Sequence, residues 1–334
     1  MRSLHAAVAL TIGLLTAPAS AAKPIYASIV VDADSGAVLH EVNADQRTQP
    51  ASLTKMMTLY MVFEALEQGR LQLSQRLRVS RLAARMPPSK LGLRAGHGIP
   101  VLEAILALVT KSANDVAVVV AEALAGSEWR FALQMTRTAQ RLGLLDTHFR
   151  NASGLPNGAQ YTTARDMTRL ALILLKHFPR YYRWFSVTSF RYKGRTYRTH
   201  NHLLERYYGS DGIKTGYVRA SGFNLVASVI RGRRRLVATV LGGRTARLRD
   251  IHMTTLLDTA FTKVWSPRYR VASYDRIDLP EARVAHAIRR TPARNLRTTG
   301  TAYRAPAARR VSPAYASRYQ PRYKVEARIA PRRR

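Results

Sequence analysis

The sequence predicts an α+β fold: a mostly antiparallel five-stranded sheet covered by helices. Three observations predict it. Two segments rich in β-branched and apolar residues, 25–32 and 37–42, open the folded part, and three more, 213–217 (behind the turn pair Asp211-Gly212), 224–230 and 236–241, come near its end. Between these groups lie stretches with apolar residues at helical spacing. Strands grouped with strands and joined by short turns favour antiparallel pairing over the strand–helix alternation of a parallel sheet. At 334 residues with 46% apolar composition, the chain can bury one large core or two small ones.

Taken in order, residues 1–21 read as a signal peptide. Arg2 supplies the positive start, Ala6 to Leu15 the apolar run and Ala19-Ser20-Ala21 the small-x-small cleavage site. No later segment reaches the roughly 18 uninterrupted apolar residues of a membrane span. The mature chain is therefore expected to be exported and periplasmic, with peripheral attachment to the inner membrane left open. Asp32-Ala33-Asp34-Ser35-Gly36 supplies the turn of a first hairpin. A helix should then begin near Ser52, after Pro50, and end at Gly69. From Met56 to Leu66 it is apolar on nearly every side, which places it in a core.

Residues 71–93, with Pro87-Pro88, read as loops and short turns. Helices are expected over 101–108, 116–124, 129–142 and 166–175, with a loop at 151–158 marked by Gly154, Pro156 and Gly158. Alternation with aromatics over 186–198 favours a strand. A second hairpin turns about Gly232, and a helix over 245–264 closes the folded part. From 267 to 334 arginine, proline, alanine and tyrosine dominate without apolar period, which reads as a disordered basic tail.

The chain has no cysteine, so disulfides, thiolate chemistry and cysteine–zinc sites are excluded. Its formal net charge is +34, and after Pro267 there are 18 Lys/Arg against four Asp/Glu. Such a balance calls for an anionic partner. Tyr303, Tyr315, Tyr319 and Tyr323 interleave with arginine as in some nucleic-acid tails, but behind a signal peptide nucleic acid is not expected. Anionic membrane or wall polymers are the expected partners, the alternative being a solubilising tail with no dedicated partner. His200-x-His202 would put two rings on one face of a strand. No third ligand has suitable spacing, so neither a metal nor another cofactor is expected.

Three short motifs carry the chemistry. Ser52 and Lys55, three apart, share a helix face at the mouth of the buried helix, where desolvation can lower the lysine's pKa. Taken alone, the pair reads equally as a capping serine and a solvated lysine. Ser112-Ala113-Asn114 follows about 60 residues later, and Lys214-Thr215-Gly216 about 100 after that, on an expected strand. Ser-x-x-Lys, Ser-x-Asn and Lys-Thr-Gly in this order form an ordered catalytic set.

With these motifs, and with Asp211-Gly212-Ile213-Lys214-Thr215-Gly216 and Gly222-Phe223-Asn224-Leu225-Val226-Ala227-Ser228, the chain from about 25 to 265 resembles the low-molecular-mass penicillin-binding proteins that are serine-type D-alanyl-D-alanine carboxypeptidases. The resemblance implies a β-lactamase/DD-peptidase-like fold, helices on both sheet faces and a mainly helical subdomain. Residues 22–266 would form the catalytic domain, acting on peptidoglycan pentapeptide stems and inhibited covalently by β-lactams. Ser52 would be the nucleophile, Lys55 its base and Ser112 the donor to the leaving amine. Asn114 would bind the substrate's amide carbonyl, Lys214 support the proton network and Thr215 hold the terminal carboxylate. Gly216 would let the substrate approach, and the backbone N–H groups of Ser52 and Tyr217 would form the oxyanion hole. Arg249, and less firmly Arg244, would complete the carboxylate site, the alternative being solvated arginines.

The resemblance also has gaps. Near the position where class A β-lactamases carry a deacylating glutamate stand Thr147, His148 and Phe149, with Asp146 the only carboxylate close by. Slow penicillin hydrolysis is therefore expected. Many relatives add a β-rich domain and an amphipathic membrane helix, which residues 267–334 do not resemble, and some carry histidine where Tyr217 stands. Two rival readings remain: a D,D-endopeptidase that cuts cross-links, and a non-catalytic wall- or membrane-binding protein working through its tail.

Overall fold

The computed structural model describes residues 24–280 and the backbone of 327–329. Its elements run β1 (Ala27–Asp32), β2 (Val38–Val42), α1 (Thr54–Glu67), β3 (Arg76–Arg78), α2 (Arg81–Arg85), β4 (Gly98–Pro100), α3 (Val101–Val109), α4 (Asn114–Ala125), α5 (Glu128–Arg141), α6 (Ala164–His177) and α7 (Pro179–Tyr182). They continue with β5 (Val187–Tyr192), β6 (Arg195–Arg198), α8 (Leu203–Arg206), β7 (Ser210–Val218), β8 (Gly222–Arg231), β9 (Arg234–Gly243), α9 (Ala246–Trp265) and β10 (Ala327–Ile329).

The main sheet is five-stranded, in the order β2-β1-β9-β8-β7, and antiparallel at every pairing. The N-terminal hairpin thus docks beside the last strand rather than beside its sequence neighbours. Period-two alternation sends Ile29 and Val31 into one core with Met56, Leu59 and Phe63 of α1, while Val30 joins Met253, Leu257 and Phe261 of α9 in another. Because helices cover both faces, the strands read as continuous apolar runs rather than alternating ones. β7 lies at the sheet's edge, so one side of its backbone is open to whatever fills the cleft.

Local chemistry sets the helix ends. Thr163 and Thr245 accept from the N–H groups of Asp166 and Leu248, at 3.0 and 3.1 Å, and so open α6 and α9. Such caps are worth about 1 kcal/mol each. Gly126, at φ 77°, closes α4 in the left-handed conformation a glycine adopts without penalty. α1 is buried at every position from Thr54 to Phe63. It is preceded by a 3-10 turn, Ala51–Leu53, so Ser52 stands on the tight turn at the helix mouth and not in the α-helix itself.

Three expectations change. The 71–93 stretch holds β3 and α2, and β3 pairs with β4 in a two-stranded ribbon that no sequence alternation announced. The 186–198 segment is two strands turning at Lys193-Gly194, outside the main sheet, with β10 pairing along the other edge of β5. The tail expected from 267 does not begin there. Ile277 is buried in the core with its N–H on the Gly36 carbonyl (2.8 Å), and Tyr269 donates to Asp32 (2.9 Å). A single buried isoleucine in a polar stretch carries no period, which is why composition placed this segment in the tail. The signal peptide of 1–21 and the tail from 281 lie outside the described residues, apart from the strand at 327–329.

Candidate active site

The turn that carries Ser52 is fixed from two sides. Ala51 adopts φ +49°, unusual for a residue with a Cβ, and a Cβ built on Gly154 would stand 1.7 Å from the Ala51 carbonyl oxygen. Only glycine lets the 151–154 loop close behind Ser52. On the other side, a Cβ on Gly216 of β7 would lie 3.1 Å from Ser52 N and 3.2 Å from the Pro50 carbonyl oxygen. The Lys-Thr-Gly strand therefore runs directly against the serine.

Lys55 is fully buried, and its Nζ has three neighbours: Ser52 Oγ at 3.2 Å, Asn114 Oδ1 at 2.8 Å and the Ser153 carbonyl oxygen at 2.6 Å. The Asn114 orientation is set independently, because its Nδ2 donates to the Pro87 carbonyl at 3.0 Å. Burial, then the Lys214 cation, hold Lys55 well below the usual lysine range, while Asp115 and Glu128 oppose that shift. A neutral amine has two N–H bonds and one lone pair. The two carbonyl acceptors take the hydrogens, which leaves the lone pair for the Ser52 hydroxyl. The arrangement can therefore remove the serine proton.

Ser112 is buried at φ +56°, and its Oγ has no protein partner, a hydroxyl held free in the site. Lys214 is buried, donates to the Thr215 carbonyl at 3.1 Å and is pushed down to about 7 by burial and by Arg249. Thr215 is buried on the same strand, whereas Tyr217 is exposed and packs on Phe223 with ring centroids 4.3 Å apart. Arg249 is 3% exposed and acts electrostatically on Lys214, but its guanidinium is already bonded to Asp250 Oδ1 (2.6 and 3.0 Å) and to the Asn224 carbonyl (3.1 Å). A cavity of about 900 Å³ opens past Tyr217, lined by Tyr26, Phe223, Arg244, Leu248 and Arg249. Arg244 is exposed at its rim.

The three motifs thus meet in one cleft. Asp146 lies elsewhere: it pairs with Arg47 at the surface (2.6 Å). His200 and His202 fall after β6, not on a strand. His200 is exposed at its surface, and partial desolvation, then Lys214, Lys111, His202 and Lys55, lower its pKa, which puts its ring in the field of those lysines. Sequence reasoning weighed His200 only as half of a metal-binding pair with His202. It also missed the Ser153 carbonyl, a backbone group for which no side-chain signal exists.

A family model described as D-alanyl-D-alanine carboxypeptidase, peptidase S11, matches residues 16–245. The chain belongs to this family. It is 34% identical over 247 residues to D-alanyl-D-alanine carboxypeptidase DacF of Bacillus subtilis (strain 168), covering 71% of this chain and 62% of that protein. To DacA of Escherichia coli (strain K12) it is 37% identical over 240 residues, covering 70% and 60%. The chain thus spans about 60% of the length of these curated relatives. Among solved structures it is similar to penicillin-binding protein 5 of Haemophilus influenzae, with TM-score 0.69, 32% identity and coverage of 74% and 73%. It is also similar to penicillin-binding protein D2 of Listeria monocytogenes in its cefotaxime-bound form, with TM-score 0.64, 30% identity and coverage of 70% and 96%. These S11 likenesses establish the helix-covered antiparallel sheet as a DD-peptidase fold.

Proposed function

We propose that this chain is a serine D-alanyl-D-alanine carboxypeptidase that trims peptidoglycan pentapeptide stems. The observation that carries the reading is the Lys55 amine, buried and flanked by two carbonyl acceptors, with Ser52 Oγ 3.2 Å away. The substrate lies along the open edge of β7 as an added strand, its amide carbonyl on Asn114. Ser52 Oγ attacks the carbonyl of the penultimate D-alanine as Lys55 takes its proton, and the backbone N–H groups of Ser52 and Tyr217 receive the oxyanion. The C–N bond then breaks, and Ser112 passes a proton to the leaving amine under the influence of Lys214. Water releases the acyl group from Ser52.

Thr215 receives the terminal carboxylate. Arg249 supports it from behind through charge, because its guanidinium already holds Asp250. A penicillin acylates Ser52 by the same steps, as the cefotaxime- and ampicillin-bound structures of the Listeria relative suggest. Asp146, paired with Arg47 at the surface, is not placed to speed its release. Neither the endopeptidase nor the non-catalytic reading is favoured by the relatives' names.

Incubation with a D-Ala-D-Ala-terminated pentapeptide should release D-alanine. Ser52→Ala should release none, and release by that variant at the wild-type rate overturns the reading. Export through residues 1–21 and adsorption to anionic wall or membrane polymers through the basic tail belong to the same proposal. No helix among the described residues is long and apolar enough to cross a membrane, and the sequence from 281 onward holds 15 Lys/Arg against two Asp/Glu. Deleting 281–334 should leave hydrolysis intact and weaken adsorption to anionic vesicles at low salt; unchanged adsorption contradicts the tail's part in it.

A further inference from the structure

The base is only as well aimed as the carbonyl that takes one of its hydrogens, and that carbonyl sits on a loop. Several backbone groups around it are held. The Asn151 side-chain oxygen accepts from Ser153 N (3.2 Å) and Gly154 N (2.7 Å), the latter in the same peptide unit as the Ser153 carbonyl. Thr58, one turn after Lys55 on α1, donates to the Ala152 carbonyl at 2.7 Å. The Ala152 N–H goes to the Glu128 carboxylate at 3.0 Å, and the Asn151 N–H to Gln160 Oε1 at 3.4 Å. Glu128 is the first residue of α5, half-buried, and the one cation acting on it is Lys55. Its backbone amide contact is the only bond it makes to the loop, and a carboxylate acceptor makes that bond stronger than a neutral one.

We propose that Glu128 is a positioning residue for the reaction: through the Ala152 N–H it anchors the 151–154 loop to α5, holding the Ser153 carbonyl on Lys55 and so keeping the amine's lone pair on Ser52. The inference rests on the reading of Lys55 as base. It has an electrostatic corollary. The charged and titratable groups facing Lys55 are Lys214 of β7, His200 ahead of α8, Asp115 of α4 and Glu128 of α5. Of these, Asp115 is committed to the backbone N–H groups of Leu91, Gly92, Leu93 and Val116, which leaves Glu128 as the carboxylate that can be neutralised without unfastening another loop. A glutamine there keeps the acceptor for Ala152 N–H and removes the charge, so Lys55 deprotonates at lower pH.

The test is the rate of penicillin acylation against pH in wild type, Glu128→Ala and Glu128→Gln. Glu128→Ala should lose about 10- to 100-fold in acylation rate, part of the 10²–10⁴ that a positioned base contributes, while KM for the peptide changes little. Glu128→Gln should recover most of that loss and move the acid limb of the profile to lower pH. If the alanine variant does not fold, the displaced limb of the glutamine variant is the deciding readout. An alanine variant that acylates at the wild-type rate, or a glutamine variant whose acid limb stays in place, overturns the proposal. A wild type that fails to acylate at all overturns instead the reading of Ser52 and Lys55 on which it stands.

Discussion

At Nζ of Lys55 the chemistry turns on a count of hydrogens. Three close neighbours, two of them pure acceptors, suit an amine with two N–H bonds, and burial together with the Lys214 cation favours that form by lowering its pKa. Replacing Lys55 with alanine should therefore cut acylation by about 10²–10⁴, measured by stopped-flow with a chromogenic β-lactam; a loss under tenfold contradicts its role as base. Asn114→Ala removes one acceptor and frees the amine to rotate, so kcat should fall even for β-lactams lacking the amide that Asn114 would bind. Unchanged turnover of such a compound would restrict Asn114 to substrate binding. The pH sense follows from the direction of the shift. Acylation falls as pH drops through the lowered pKa of Lys55, because the protonated amine has no lone pair to offer.

The 3-10 turn carrying Ser52 is wedged between the 151–154 loop and β7, and two glycines set those spacings. Gly154→Ala would place a Cβ against the Ala51 carbonyl at φ +82°, which should destabilise the protein by more than about 4 kcal/mol; thermal unfolding at the wild-type temperature contradicts that packing. Gly216→Ala meets Ser52 N at 3.1 Å, a milder intrusion, and should spare the fold while slowing acylation. Strands of the main sheet were legible where turn residues bracket them, at Asp32 to Gly36 and Gly232, whereas Asp211-Gly212, expected as a turn, lies inside β7. The β3–β4 ribbon was not, since three-residue strands are too short to show a period. The motif residues were legible by type and order. The Ser153 carbonyl was not, because its function lies in the backbone, and Glu128 reaches it across 24 positions of sequence that carry no pattern. Arg249 came from the family resemblance, by its place after the last strand, and the partner that holds its guanidinium, Asp250, is simply its neighbour in the chain.

The whole molecule keeps two lysines in its core at a cost to stability. Lys214, titrating near 7 when folded against about 10.5 when unfolded, binds fewer protons in the native state between those values. Stability should therefore rise with pH from about 7 to 10, by on the order of 1 kcal/mol per pH unit from this group. Lys214→Met should flatten that slope in denaturant titrations at several pH values, and be more stable than wild type at pH 7 while losing activity. An undiminished slope contradicts the buried, depressed lysine. The same cations link the fold to the proposed chemistry: sheet and helices bury Lys55, and burial is what would let it act as a base. The most direct measurement is the mass of the intact protein after exposure to penicillin, with the modified peptide mapped. One drug mass should be added, carried by the peptide containing Ser52, and Ser52→Ala should gain none. No added mass on wild type, or a drug attached to any other residue, contradicts the site.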